Sequence, residues 1–355
     1  MKLGETIIII FKKNLLTTVF TLFLIFLVFF STANLSAAQK GLNLWAKNVV
    51  PSLFPFYIAT ELLNYTNLPY YLGKVTNKFM RPLFNIPGEG SYAFIMGIIS
   101  GYPVGAKIVN KFIEEGTCSK EEAERMLAFT NNSGPLFIIG TVGISLFGDS
   151  TIGILLFITH IMSCLTVGLI FGFVSKKKQT NSYKYERQIF QNSEHFVRST
   201  HTYGISDLGT ILSNSITNAI STILLIGGFI VLFSIVISML NSIKLIDSTC
   251  KMLNSIIPSE YTRCILTGLL ELTNGVNLVS SLHTKYMSNQ IMLAAFLLGF
   301  AGFSIFLQIF SISAQNKISM KKYFIGKLMQ GFIAVFYTFI ILKSSNMFYF
   351  DIVTL

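Results

Sequence analysis

The stretch ISGYPVGAKIVNKF, residues 99–112, decides the fold. Gly101 and Gly105 are poor helix formers and Pro103 lacks a backbone donor, so the helix must break there. The surrounding residues are nevertheless apolar, and Lys107 follows at once. The arms on either side, EGSYAFIMGIIS and GAKIVNKFIEE, are each about 12 residues, or ~18 Å at 1.5 Å per residue, enough to reach the middle of a bilayer but not to cross it. Residues 88–115 therefore read as a re-entrant hairpin, whose unpaired backbone must be shielded by protein or line a wet cavity.

The rest of the chain supplies the membrane. Of 355 residues 52% are hydrophobic, 33 are Phe, 12% are charged, and mean hydropathy is +0.62. A soluble domain of this composition is excluded. Apolar windows near 15–36, 48–66, 126–147, 151–174, 221–240, 288–312 and 323–342 suggest seven crossings. The first window also resembles a secretory signal peptide, with Lys12 and Lys13 before it and STANLSAAQ after it. An uncleaved helix is the favoured reading.

The net charge of +11 is spread between the apolar segments and makes no aromatic-laced patch, which argues against nucleic acid. It sorts by side instead. With the N-terminus in the cytoplasm and 88–115 entering and leaving on one side, 19 of the 27 Lys and Arg fall inside, as the positive-inside rule expects. Cys118, Cys164, Cys250 and Cys264 have no metal-ligand spacing and suggest no disulfide framework, so no metal or cofactor is expected. No nucleophile, base and orienter share a face, so catalysis is not expected either.

Ser119 and Glu122 form a capping-box pattern that starts a helix. That helix meets TNNSGP at 130–135 and resumes at Leu136, which makes 119–147 a broken helix. The second half repeats the order: CILTGLLELTNGVNLVSSL gives a hairpin over 263–284 around ELTNG, and 288–312 a helix broken at GFAG. Crossing parity turns the second unit upside down relative to the first, the inverted-repeat plan of secondary transporters. The expected organisation is an N-terminal transmembrane helix (1–38), a first repeat with a connecting helix (39–175), a basic cytoplasmic linker (176–206), a second inverted repeat (207–313), and a C-terminal transmembrane helix with a tail (314–355).

Hairpin tips and helix breaks present unsatisfied N–H groups and positive dipole ends, which makes an anion site largely of backbone. Gly101 and Gly105 would admit a ligand closely, with GxxxG helix packing as the alternative. Lys107, roughly 10 Å into the membrane along its arm, would favour an anionic substrate or pair with Glu271 or Glu61. Asn131, Asn132 and Ser133 offer polar groups at the first break, and Glu271, Thr273 and Asn274 at the second tip. Their alternative role is interhelical hydrogen bonding. Glu271 could also carry a coupling proton, and His160 reads as a satisfied core histidine.

PSLFPF, MRPLF, SGYPVGAK, EEAERMLAFTNNSGPLFIIG and ELTNG together resemble the YlbJ (SpoVV) sporulation integral membrane proteins, within the wider nucleoside-recognition, or Gate, family. The resemblance runs from about residue 40 to 340 and is more specific in the first half. It implies an all-α polytopic fold of inverted repeats, each with a re-entrant hairpin and a broken helix, similar to the core of concentrative nucleoside transporters. It also implies export of dipicolinic acid from the mother cell across the outer forespore membrane during sporulation. Carried over by motif, the substrate-binding residues would be Gly101, Tyr102, Pro103, Gly105, Lys107, Asn131, Asn132, Ser133, Gly134, Glu271, Thr273, Asn274 and Gly275. Dipicolinate or another small anion and the lipid bilayer are the expected partners, with room for a homo-oligomer. Ion-coupled nucleoside transport and a non-transporting scaffold docked through 176–206 are the competing readings.

Overall fold

A computed structural model describes residues 14–176, 205–283 and 286–344, all helix and connecting turns with no strand among them. Helix α1 (Leu15–Phe29) ends at Phe30, where the chain turns by 99° into a continuous rod. The rod consists of α2 (Ser31–Leu44), a π-type turn (Trp45–Val49) and α3 (Val50–Leu63). It is followed by the short amphipathic α4 (Leu68–Phe79), which ends in a π-type turn at Met80–Phe84. A hairpin of α5 (Gly90–Ser100) and α6 (Val104–Glu114) comes next, then α7 (Lys120–Thr130), the wide π-type helix α8 (Leu136–Leu146), and α9 (Ser150–Lys176).

The second half runs through the same kinds of element. Its rod is α10 (Leu208–Ser242), its short amphipathic helix α11 (Leu245–Leu253), and its hairpin α12 (Ser259–Leu270) with α13 (Leu272–Ser280). The helix α14 (Met287–Phe300) then breaks at Ala301 and continues as α15 (Gly302–Ser313), and α16 (Lys321–Ser344) completes the unit.

Two boundaries differ from the hydropathy reading. The window 15–36 and the proposed 1–38 helix straddle the turn at Phe30, and everything from Ser31 to Leu63 is one rod. The run 37–47 fell between hydropathy windows because Ala37 and Lys40, with Ser36 just before them, border a cavity and need no lipid-facing apolar side chain. Among the described residues the seven windows also reduce to four helices long and apolar enough to span, α9, α10, α14–α15 and α16, or five counting the bent α1–rod pair. The 126–147 window is split between α7 and α8, each 11 residues and so only about 16 Å long. Most of the 176–206 linker, and Lys2, Lys12 and Lys13, lie outside the described residues.

The two rods lie against each other through small residues. A Cβ on Gly227 would sit 2.7 Å from the Trp45 ring, and one on Gly41 2.9 Å from Ser234 Oγ. Trp45 Nε1 then donates to the Ile223 carbonyl at 2.9 Å across the seam. One end of the molecule, the basic end, collects several paired basic residues. There Arg81 pairs with Glu122, Lys322 with Glu124 and Lys111 with Glu115, and Asn316 donates to Glu114. The capping box forms as its spacing predicts: Glu122 N donates to Ser119 Oγ at 3.3 Å, and Ser119 N to Glu122 Oε2 at 2.9 Å.

Candidate functional site: a central cavity between hairpin tips and helix breaks

Each hairpin tip rests on the helix break of its own half. Gly101 adopts φ +77°, a left-handed conformation that glycine takes without strain, and a Cβ there would lie 3.1 Å from Gly134 N in the first break. In the second half a Cβ on Gly302 would lie 3.0 Å from Gly268 O and 3.3 Å from Leu272 N, at the second tip. The first tip is further tied to the rod: Tyr57 Oη donates to the Tyr102 carbonyl, and Thr60 and Ser100 share a hydroxyl hydrogen bond of 2.5 Å.

Between the two tips lies a cavity of about 60 Å³. Gly101, Tyr102, Ser133 and Gly134 line it from the first half, and Glu271, Leu272, Thr273 and Gln308 from the second. This is room for only a few waters, so the space between the tips is narrow in this conformation. Tyr102 Oη and Ser133 Oγ are buried beside each other with no further hydrogen-bond partner among the described residues, and Gln308 Oε1, an acceptor, is buried without one.

A larger cavity flanks it on each side. One of about 630 Å³ at the basic end is bordered by Glu61, Pro103, Lys107, Asn218 and Thr222. One of about 600 Å³ at the other end is bordered by Lys40, Ser234, Asn241, Arg263 and Asn274. The same stripe of α10 lines all three: Asn218, Ser221, Thr222 and Leu225 in the first vestibule, Ile226 and Ile230 in the centre, Ser234, Ser238, Asn241 and Ser242 in the second. Spacings of three and four residues put these on one helix face. The 24 residue steps from Asn218 to Ser242 rise about 36 Å, the depth of a bilayer core and a little more. The first rod crosses the same three cavities in the opposite sense, from Ser36 and Lys40, through Val49 and Leu53, to Thr60 and Glu61. The rods are therefore antiparallel and the hairpins open to opposite ends.

The residues singled out from sequence divide accordingly. Six of them, Gly101, Tyr102, Ser133, Gly134, Glu271 and Thr273, come together at the centre. Asn131 and Asn132 are fully buried just behind that wall. Pro103 and Lys107 border the vestibule at the basic end, and Asn274 borders the other. Gly105 and Gly275 meet protein backbone: a Cβ on Gly105 would come 2.4 Å from Thr130 O, and one on Gly275 2.1 Å from Gly268 Cα. Both are close-packing positions, the alternative already attached to Gly105.

Two charges are satisfied internally. Lys107 Nζ donates to Glu61 Oε1 at 2.9 Å and to Thr222 Oγ1 at 2.8 Å, while Asn218 Nδ2 reaches Glu61 Oε2 at 3.3 Å. These bonds latch α6 to both rods across the vestibule. Glu271 caps its own helix, accepting from Thr273 N at 3.1 Å and Asn274 N at 2.7 Å. The positive end of α13 is thus occupied by the protein's own carboxylate.

Sequence reading missed Lys327, Gln330 and Gln308. Lys327 and Gln330 converge on the first break from α16, and His160 accepts weakly from Ser133 N at 3.4 Å. A Lys deep in the apolar 323–342 window was the available signal, since a charge inside a span marks function by default. Among the described residues no group of His, Cys, Asp and Glu is placed to hold a metal ion.

Helices long and apolar enough to span a bilayer, with two hairpins and two helix breaks that meet in the interior, define an integral membrane protein. A family model described as nucleoside recognition, Gate, matches residues 46–177, the part that holds the first hairpin and first break. The chain is 34% identical over 319 residues, 88% of its length and 78% of the relative's, to the sporulation integral membrane protein YlbJ of Bacillus subtilis (strain 168). A shorter match, 30% over 131 residues, covers 36% of this chain and 27% of an uncharacterised protein of Alkalihalophilus pseudofirmus. No solved structure matches. The chain belongs to the YlbJ family of sporulation integral membrane proteins.

Proposed function

We propose that the protein is a membrane transporter that moves a small dicarboxylate, dipicolinate, out of the mother cell across the outer forespore membrane during sporulation. The observation that carries this reading is the alignment of two vestibules and a narrow central cavity along one stripe of α10, with antiparallel rods and oppositely opening hairpins around them. A passage interrupted at its midpoint by two tips and two breaks suits alternating access, in which one side opens as the other closes. The basic end faces the mother-cell cytoplasm in this reading, and the chain performs no covalent chemistry.

The substrate assignment draws on kinship with a sporulation membrane protein and on the chemistry of the centre. The Tyr102 and Ser133 hydroxyls, buried at the cavity wall, can donate to carboxylate oxygens. Across an inside-negative membrane, outward movement of two negative charges gains about 4–5 kcal/mol per 100 mV, so export needs no coupling ion. The test is dipicolinate flux in liposomes with purified protein. Saturable flux that Asn132→Ala lowers supports the proposal, and flux no greater than in empty liposomes refutes it. The Gate family's description favours a second reading, nucleoside transport; saturable nucleoside flux that dipicolinate leaves unchanged would select it.

A further inference from the structure

Lys327 on α16 is 1% exposed. Its ammonium donates to the Asn131 carbonyl, to Asn132 Oδ1 at 3.3 Å and to Gln330 Oε1 at 2.8 Å. It also faces the rings of Tyr102 and Tyr323, with centroids 5.4 and 5.9 Å away. Every one of these partners is neutral, and among the described residues no carboxylate forms an ion pair with it. A neutral amide would suffice to tie α16 to the break, and Gln330 Nε2 already does so through Asn132 Oδ1 at 3.2 Å. An ammonium adds a buried charge that is expensive in a membrane interior and calls for a counter-ion.

We infer that the counter-ion is the transported ligand, and that Lys327, protonated when that ligand is bound, is the positive charge that makes the central cavity select an anion. This rests on the transport reading above. Asn131 and Asn132 directly precede Ser133 and Gly134, and those two residues, with Tyr102, form the cavity wall in front of the ammonium. On the cavity side the Tyr102 and Ser133 hydroxyls donate hydrogen bonds to a carboxylate, and Lys327 compensates its charge from behind. Among the described residues the only acid in the cavity lining, Glu271, is already held by two N–H groups and the start of α13, which leaves Lys327 as the charge beside the cavity without a counter-ion. The class of ligand is a small planar carboxylate.

The test compares equilibrium binding of dipicolinate with that of its neutral isostere, pyridine-2,6-dicarboxamide, to detergent-purified full-length protein. A unit charge on the order of 8 Å away, across an effective dielectric of about 20, corresponds to about a 30-fold preference for the anion. Wild type should show at least that preference, and Lys327→Gln should lose it to within about threefold while still binding the dicarboxamide. A glutamine variant that keeps the preference overturns the inference and leaves the transport reading standing; wild type that binds neither compound overturns both. If Lys327→Gln does not fold, Lys327→Arg carries the test: it keeps the charge and must keep the preference, and losing it with dicarboxamide binding intact also overturns the inference.

Discussion

Replacing Lys107 by methionine should unlatch the vestibule at the basic end. The Lys107–Glu61 pair is 2.9 Å long, and its side chains keep 32% and 15% of their exposure. Coulomb attraction at ~4 Å and an effective dielectric of about 20 is about 4 kcal/mol. Solvent screening and side-chain ordering reduce exposed pairs to about 0.2–1 kcal/mol, whereas cutting a fully buried pair costs about 3–5 kcal/mol. A half-buried latch falls between, at about 1–2 kcal/mol, or about 5- to 30-fold in the open population. The assay is modification of Ile226→Cys, on the cavity wall, in a background whose buried Cys118, Cys164, Cys250 and Cys264 are replaced. A charged methanethiosulfonate added from the Glu61 side should react 5- to 30-fold faster in Lys107→Met. Reagent from the Arg263 side should react no faster, because opening one side depopulates the other. Glu61→Gln should act alike, and the double variant should add little. Rates within twofold of the parent, or acceleration from both sides at once, would refute the latch.

Other perturbations address the scaffold. Gly97→Ala would bring a Cβ to 1.8 Å from Thr130 O; a loss of about 1–3 kcal/mol is expected, read as a lower thermal midpoint in detergent. Glu271→Gln leaves one amide oxygen where two carboxylate oxygens accept, and should cost about 1–2 kcal/mol in the same measurement. Trp45 is the single tryptophan, so Gly227→Ala, which presses on its ring, should shift intrinsic fluorescence as the rods separate; an unchanged spectrum would mean the seam tolerates the methyl. Ser119→Ala removes the cap of α7 and should cost about 1 kcal/mol, leaving dipicolinate flux at a permissive temperature intact.

Features that break a local rule were legible in the sequence. Glycines and a proline amid apolar residues at 101–105, polar residues inside a span at 130–135, and ELTNG at 271–275 each located a tip or a break to within a few residues. Facing was not legible, because hydropathy carries no azimuth. The same alphabet put Lys107 into a latch, Lys327 behind the cavity and Glu271 onto its own helix, and only tertiary packing separates those fates. The rod from Ser31 to Leu63 was obscured for a related reason: a helix beside a water-filled vestibule can carry Ser36 and Lys40 where lipid contact would forbid them. The polar stripe of α10 was in principle readable, since Asn218, Ser221, Thr222, Ser234, Ser238, Asn241 and Ser242 recur at helical spacing.

With 35 residues, α10 is about 52 Å long, against about 30 Å of acyl-chain thickness. Such a beam must lean or protrude, and its lean sets how far apart the two mouths stand. Lipid tails of different length should therefore retune the protein's conformational balance without any change to its sequence.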